Sequence, residues 1–159
     1  VSNYLAILAD IKTKMLSVTG IGQVHDYERW NNDSGKFLNL FAWTPSGGSQ
    51  QIRGWEITRV KVPEHHKGPF YRHHRFRISG YMALNDAAAT DKTFQVLVDD
   101  ACEKFRNAAA PAGSCWFYLD GDKPDQSPVQ VEVIDLRMFG GVLCHHADIM
   151  LAVMERIVA

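Results

Sequence analysis

The chain has 159 residues, of which 46% are hydrophobic and 22% charged, the length of one domain and a balance too apolar for a disordered polypeptide. Seventeen basic and eighteen acidic residues leave a formal charge of −1, which excludes a bulk nucleic-acid condenser. No apolar run reaches the roughly 18 residues that cross a bilayer, and the first residues lack the basic-then-apolar order of a secretory leader, so a cytoplasmic protein is expected.

Leu5, Leu8, Ile11 and Met15 recur at helical spacing after Ser2 and Asn3, either of which can cap, and Gly20 and Gly22 close the segment. A strand is predicted over Gln23–Trp30 (QVHDYERW), followed by the turn cluster Asn31–Gly35. Phe37–Trp43 (FLNLFAW) is too short for its period to distinguish strand from helix, and Pro45–Ser49 is a loop. Ile52–Val62 and Phe70–Met82 form a hairpin joined by a long loop, Pro63–Pro69. In its second strand Phe70, His74, Phe76, Ile78 and Met82 share a core face, while Tyr71, His73, Arg75, Arg77 and Tyr81 share a basic, aromatic one.

A long helix follows. Asn85, Asp86 and Asp91 suit its N-terminal end, Phe94, Leu97, Val98, Ala101, Cys102 and Phe105 form its apolar stripe, and Ala108–Gly113 ends it. Strands are predicted at Ser114–Asp120 and Val129–Met138, and the apolar parity switch in the second, from Val129, Val131 and Val133 to Ile134, Leu136 and Met138, signals either a bulge or burial of both faces in succession. After Gly140-Gly141 the C-terminal stretch could be helix or strand, and Leu143, Ala147, Ile149, Leu151 and Val153 on one parity favour a strand. Residues 1–159 thus read as a single α+β domain: an N-terminal helix, an antiparallel sheet with a long helix packed across it, and two further C-terminal strands.

Catalytic and metal chemistry find weak support. Six of the seven histidines fall in adjacent pairs, His65-His66, His73-His74 and His145-His146, and neighbours on a strand point to opposite faces, so no pair can share one ion. The best local zinc set is Cys144, His146 and Asp148 on one strand face, where His74 could join from another strand. Cys102 lies on the helix stripe as a core residue. Cys102, Cys115 and Cys144 are odd in number and contain no C-x-x-C, which suits free thiols. Gly20-Ile21-Gly22 has a helix before it and a strand after, the reverse of a dinucleotide fingerprint. No metal, cofactor or catalytic residue is expected.

Charge distribution is more informative. Between Gln51 and Arg77 seven basic residues (Arg53, Arg59, Lys61, Lys67, Arg72, Arg75, Arg77) stand against Glu56 and Glu64. From Asp86 to Glu103 five acids (Asp86, Asp91, Asp99, Asp100, Glu103) oppose Lys92, and from Asp120 to Asp135 five (Asp120, Asp122, Asp125, Glu132, Asp135) oppose Lys123. Such a dipolar chain can bind phosphate through its basic hairpin, or dock basic to acidic surface on a neighbouring copy, the heterologous contact that closes rings. Arg59, Lys61, Arg72, Arg75 and Arg77 are the expected inter-subunit or lumen-facing patch, and Asp99, Asp100, Glu103, Asp122 and Asp125 its acidic counterpart. Tyr71, His73 and Tyr81 would join Arg75 and Arg77 in the nucleic-acid reading.

Four stretches, Gly20–Trp30 (GIGQVHDYERW), Gly54–Arg59 (GWEITR), Arg75–Asp86 (RFRISGYMALND) and Leu136–His146 (LRMFGGVLCHH), together resemble the tail terminator, or tail completion, proteins of long-tailed bacteriophages. The resemblance spans nearly the whole chain. It implies an α+β subunit of a hexameric ring that caps the tail tube, stops its growth and meets the head–neck connector, while genomic DNA passes non-specifically through the lumen. It also implies a virion tail or neck location after assembly in the host cytoplasm, no membrane, and no catalytic residues. Neck or head-closure connectors of the same phages are the alternative within that setting.

Overall fold

The computed structural model describes residues 2–158, and the fold is α+β. In chain order the elements are α1 (Tyr4–Leu16), β1 (Gln23–His25), α2 (Ser34–Asn39), β2 (Ala42–Trp43), β3 (Gln51–Lys61), β4 (Glu64–His66), β5 (Phe70–Ala83), α3 (Thr90–Arg106), β6 (Trp116–Phe117), β7 (Val129–Phe139) and β8 (Val142–Ile157). The strands form one sheet with the path β1-β3-β5-β8-β6; β2 adds to β3, β4 to β5 and β7 to β8. The antiparallel expectation needs one correction, because β1 runs parallel to β3, with Val24 opposite Trp55. A parallel neighbour follows from the chain reaching β3 through α2 and β2 instead of a tight hairpin.

Strand alternation sorts side chains into two layers. Trp55 and Ile57 of β3, Phe76, Ile78 and Met82 of β5, and Ala147, Ile149, Leu151 and Val153 of β8 bury against Ile7, Leu8, Ile11 and Met15 of α1 and Phe94, Leu97, Val98, Ala101 and Phe105 of α3. On the opposite face a smaller cluster, Phe41, Phe139 and Cys144 with Phe37, Leu38 and Tyr81 packed against it, covers one end of the sheet. The rest of this open face carries no helix among the described residues; the turn at residues 120–126 lies over its other end, with Gly121 against His73 and Met154. Gly80 and Gly54 make both layers fit: a Cβ at Gly80 would lie 2.3 Å from the Trp55 ring, and one at Gly54 would lie 2.4 Å from the Phe41 ring. The Trp55 indole is then held by its Nε1–H donating to the Ile21 carbonyl at 3.0 Å.

Several local expectations change. Leu5 is exposed and Ile7 takes its place in the stripe of α1. Asn3 makes no side-chain cap; its amide instead donates to Glu155 Oε1 at 2.7 Å. The strand predicted over Gln23–Trp30 stops at His25, and the one over Ser114–Asp120 shrinks to Trp116–Phe117. Phe37–Trp43 divides between α2 and β2, and Asp33 caps α2 by accepting from the Lys36 N–H. The loop expected at Pro63–Pro69 contains β4, which folds back onto the start of β5. The β7 parity switch is a register shift between Val131 and Val133, which keeps Val131, Ile134, Leu136 and Met138 on the helix side of the sheet. No helix among the described residues is long and apolar enough to cross a membrane.

Gly80→Ala tests the face packing. The methyl would enter the Trp55 ring, so the variant is expected to lose about 1–3 kcal/mol in urea unfolding.

Candidate functional site

The five basic residues do not form one patch. Arg59 pairs with Phe76 and lies on the helix side, its guanidinium 4.3 Å from the Tyr4 ring centre. Arg72 lies on that side too, bonding Glu64 at 2.9 Å and approaching Glu155 at 3.6 Å. A register shift after Arg59 turns Lys61 to the open face, opposite Arg75. Arg77 is on that face as well, opposite Thr58 on β3 and Met150 on β8. Lys61 and Arg77 are solvent-exposed. Arg75 is already engaged: its Nη2 donates to Asp120 at 2.8 Å and to Asp122 at 3.0 Å. One expected basic–acidic contact therefore forms within a single chain.

The other acids divide similarly. Asp99, Asp100 and Glu103 are exposed on α3, where Glu103 accepts from Arg106. Asp100 and Glu103 line a shallow depression of about 230 Å³ with Ser17, Thr19 and Lys104. Asp125 is exposed in the turn that also carries Asp120 and Asp122. Of the nucleic-acid face, His73 is buried and Tyr81 stacks on Phe139 with ring centres 4.0 Å apart, so Arg77 and Lys61 carry most of its free charge.

The zinc set Cys144, His146 and Asp148 does not assemble. His146 sets its Nδ1 2.8 Å from Asp135 Oδ1 and its Nε2 3.1 Å from Asp148 Oδ1, which leaves no ring nitrogen for an ion. Asp148 also accepts from the Ser79 hydroxyl at 2.7 Å. Cys144 sits in the aromatic cluster, where burial pushes its thiol up to about 11 and away from the thiolate a metal needs. His74 is on the other face. There it stands 2.7 Å from Glu155, with Arg59 3.5 Å from its Nδ1, and burial lowers its pKa against the opposing pull of Glu155. A neutral ring donating from Nε2 to the carboxylate satisfies both neighbours.

Glu155 is the buried hub of this network. Burial by itself raises its carboxyl, but bonds from His74 and Asn3, with Arg72 nearby, outweigh that and hold it below the ordinary 4.5. It ties α1, β5 and β8 together.

Beside the Arg75 contact, two imidazoles converge from strands β4 and β5. His65 and His73 meet edge to face with ring centres 4.6 Å apart, and His65 Nε2 lies 3.7 Å from Asp122 Oδ1.

The surface least explained by a lone chain is β7. Among the described residues it pairs with β8 alone, so its outer edge is open over 11 residues. It exposes Val131, Ile134, Leu136 and Met138, the last two by 53% and 66%, beside Leu143 of β8 at 42%. Free edges of this length are usually shortened, bulged, charged or covered. Here β7 carries a bulge and three charged side chains, Glu132, Asp135 and Arg137, while the bulge keeps the apolar residues together on one side. The spacing of apolar residues marked this strand in the sequence, but only its position at the sheet edge distinguishes an exposed stripe from a buried one. The chain matches no family model and no curated protein.

Glu155→Gln tests the buried hub. A carboxyl depressed in the folded state contributes stability above its unfolded value, and that contribution is lost as pH falls through the depressed value. The variant is therefore expected to be less stable at pH 7, and to lose less than wild type between pH 5 and pH 3, in urea titrations at each pH.

Proposed function

We propose that this protein is a structural subunit of a phage tail, which assembles with copies of itself into a closed ring, of hexameric order by the resemblance. The ring caps the tail tube, ends its elongation and joins it to the head–neck connector, with DNA passing through the lumen. In this reading the two helices over a largely antiparallel sheet, closed by β7 and β8, are the wall of the ring. Its place is the virion tail or neck, its work is done by surface complementarity and not by a reaction, and it needs no membrane.

The free apolar edge of β7 carries this reading. Burying a half-exposed leucine contributes roughly 1 kcal/mol, and a stable contact needs about 1,000 Å² or more of total buried area. Val131, Ile134, Leu136 and Met138 with Leu143 supply a contiguous apolar centre, and the open main-chain edge supplies hydrogen bonds around it. Exposed Lys61 and Arg77 on one side, and Asp99, Asp100 and Asp125 elsewhere, remain for the polar rim and the lumen. Arg75 and Asp122 compensate each other and hold the turn at residues 120–126.

Leu136→Lys combined with Met138→Lys changes two exposed side chains and leaves the core intact. Light scattering and electron microscopy should show wild-type protein in closed rings, alone or at the ends of tubes formed by its tail tube protein. The double variant should stay monomeric with an unchanged melting temperature and should leave tubes overlong. Wild-type protein that remains monomeric in the presence of tubes would overturn the proposal, and rings that bind only the head connector would select the neck alternative.

A further inference from the structure

His65, His73 and Asp122 each offer one ligand atom, and the three atoms all lie within 4.8 Å of one another. Their arrangement follows from the topology. β4 folds back so that His65 stands opposite Tyr71, two residues from His73 on the same strand face. The turn after β6 brings Asp122 over both, fixed by Arg75 on its Oδ2 and by its own N–H donating to Asp120. Arg75 binds one carboxylate oxygen, and the other, Oδ1, faces His65.

The imidazoles lack protein partners. His65 Nε2 and His73 Nδ1 are both buried with no hydrogen bond, and His73 as a residue is only 6% exposed. A buried ring nitrogen left this way is a cost of about 1–3 kcal/mol unless something occupies its lone pair. The backbone also makes room on one side. At Gly121 an added Cβ would lie 2.3 Å from His73 Cε1 and 2.9 Å from His73 Nδ1, so only glycine lets the turn approach the ring face.

We propose that His65, His73 and Asp122 bind one zinc-class divalent transition-metal ion, with water completing the coordination. Two imidazoles and a carboxylate are a borderline nitrogen–oxygen donor set, suited to Zn²⁺ and poor for Mg²⁺ or Ca²⁺, which require oxygen ligands. Zinc bonds of this kind hold ligand atoms about 3.3 Å apart. The half-exposed His65 and the exposed Asp122 close the remaining gap by side-chain rotation, while buried His73 stays in place. Arg75 then orients the carboxylate from behind, as outer-shell partners of metal ligands do. The ion would staple β4, β5 and the 120–126 turn together, closing the end of the sheet where the cross-strand hydrogen bonds of β4 are few.

Isothermal titration of the metal-free full chain with Zn²⁺ tests the site, with Mg²⁺ as the control. One equivalent of Zn²⁺ is expected to bind and raise the melting temperature, with no response to Mg²⁺. His65→Gln and Asp122→Asn, both changes at accessible side chains, should each weaken binding at least tenfold, and Gly121→Ala should weaken it by crowding the His73 ring. Co²⁺ substitution should give visible bands of a nitrogen–oxygen site without thiolate charge transfer. No Zn²⁺ binding, binding indifferent to His65→Gln, or a thiolate band that places the ion on Cys102, Cys115 or Cys144 would each overturn the proposal. None of these outcomes depends on ring assembly, since the three ligands come from one chain.

Discussion

The structure depends on the antiparallel pairing of β5 with β8, which runs unbroken from Phe70 opposite Ile157 to Ala83 opposite Cys144. Every other strand except β1 and β2 attaches to one of these two, and β1 and β2 attach to β3, itself paired with β5. Because side chains alternate along both strands, this single register decides which residues lie beneath the helices. It sends His74, Phe76, Ile78 and Met82 with Ile149, Leu151, Val153 and Glu155 to the helix side. It leaves His73, Arg75, Arg77 and Tyr81 with His146, Asp148 and Met150 on the other. A slip of one residue would exchange the two sets, burying Arg75 and Arg77 and exposing the core.

The same register explains why the histidines come in pairs without forming paired sites. Each adjacent pair is split across the sheet. His74 meets Glu155 within the helix layer and His73 meets His65 on the open face; His145 bonds the Thr90 hydroxyl at 2.8 Å while His146 is held between Asp135 and Asp148. Most of these rings are satisfied locally and stabilise the fold. The exceptions are His65 and His73, whose inward nitrogens have no partner, and this difference separates a metal-binding cluster from structural histidines.

Much of the fold was legible in the sequence because the long elements carry strong periods. The apolar stripe of α3, the two faces of β5 and the parity switch of β7 all appear as spacing alone, and the register decides that the switch is a bulge. What was lost depends on short elements and on tertiary placement. β4 is three residues long and lies between Pro63 and Pro69, so it read as loop, and with it the approach of His65 to His73 disappeared from view. Cys144, His146 and Asp148 do share one strand face, but nothing in their spacing shows that Asp135 on β7 reaches the His146 ring. The basic patch failed as a unit for a related reason: Arg59 and Arg72 have helix-side parity, and the shift between Arg59 and Lys61 that brings Lys61 beside Arg75 leaves no mark in composition.

In the proposed ring the outer edge of β7 is covered by another copy of the chain. Hydrogen exchange of the β7 amides that point away from β8, compared between dilute protein and protein assembled on tail tubes, tests it most directly. Rapid exchange is expected in the dilute state and strong protection of that edge and its apolar flank after assembly, together with protection of the complementary surface that each copy offers its other neighbour. Equal exchange in both states, or protection appearing elsewhere while β7 stays open, would contradict it.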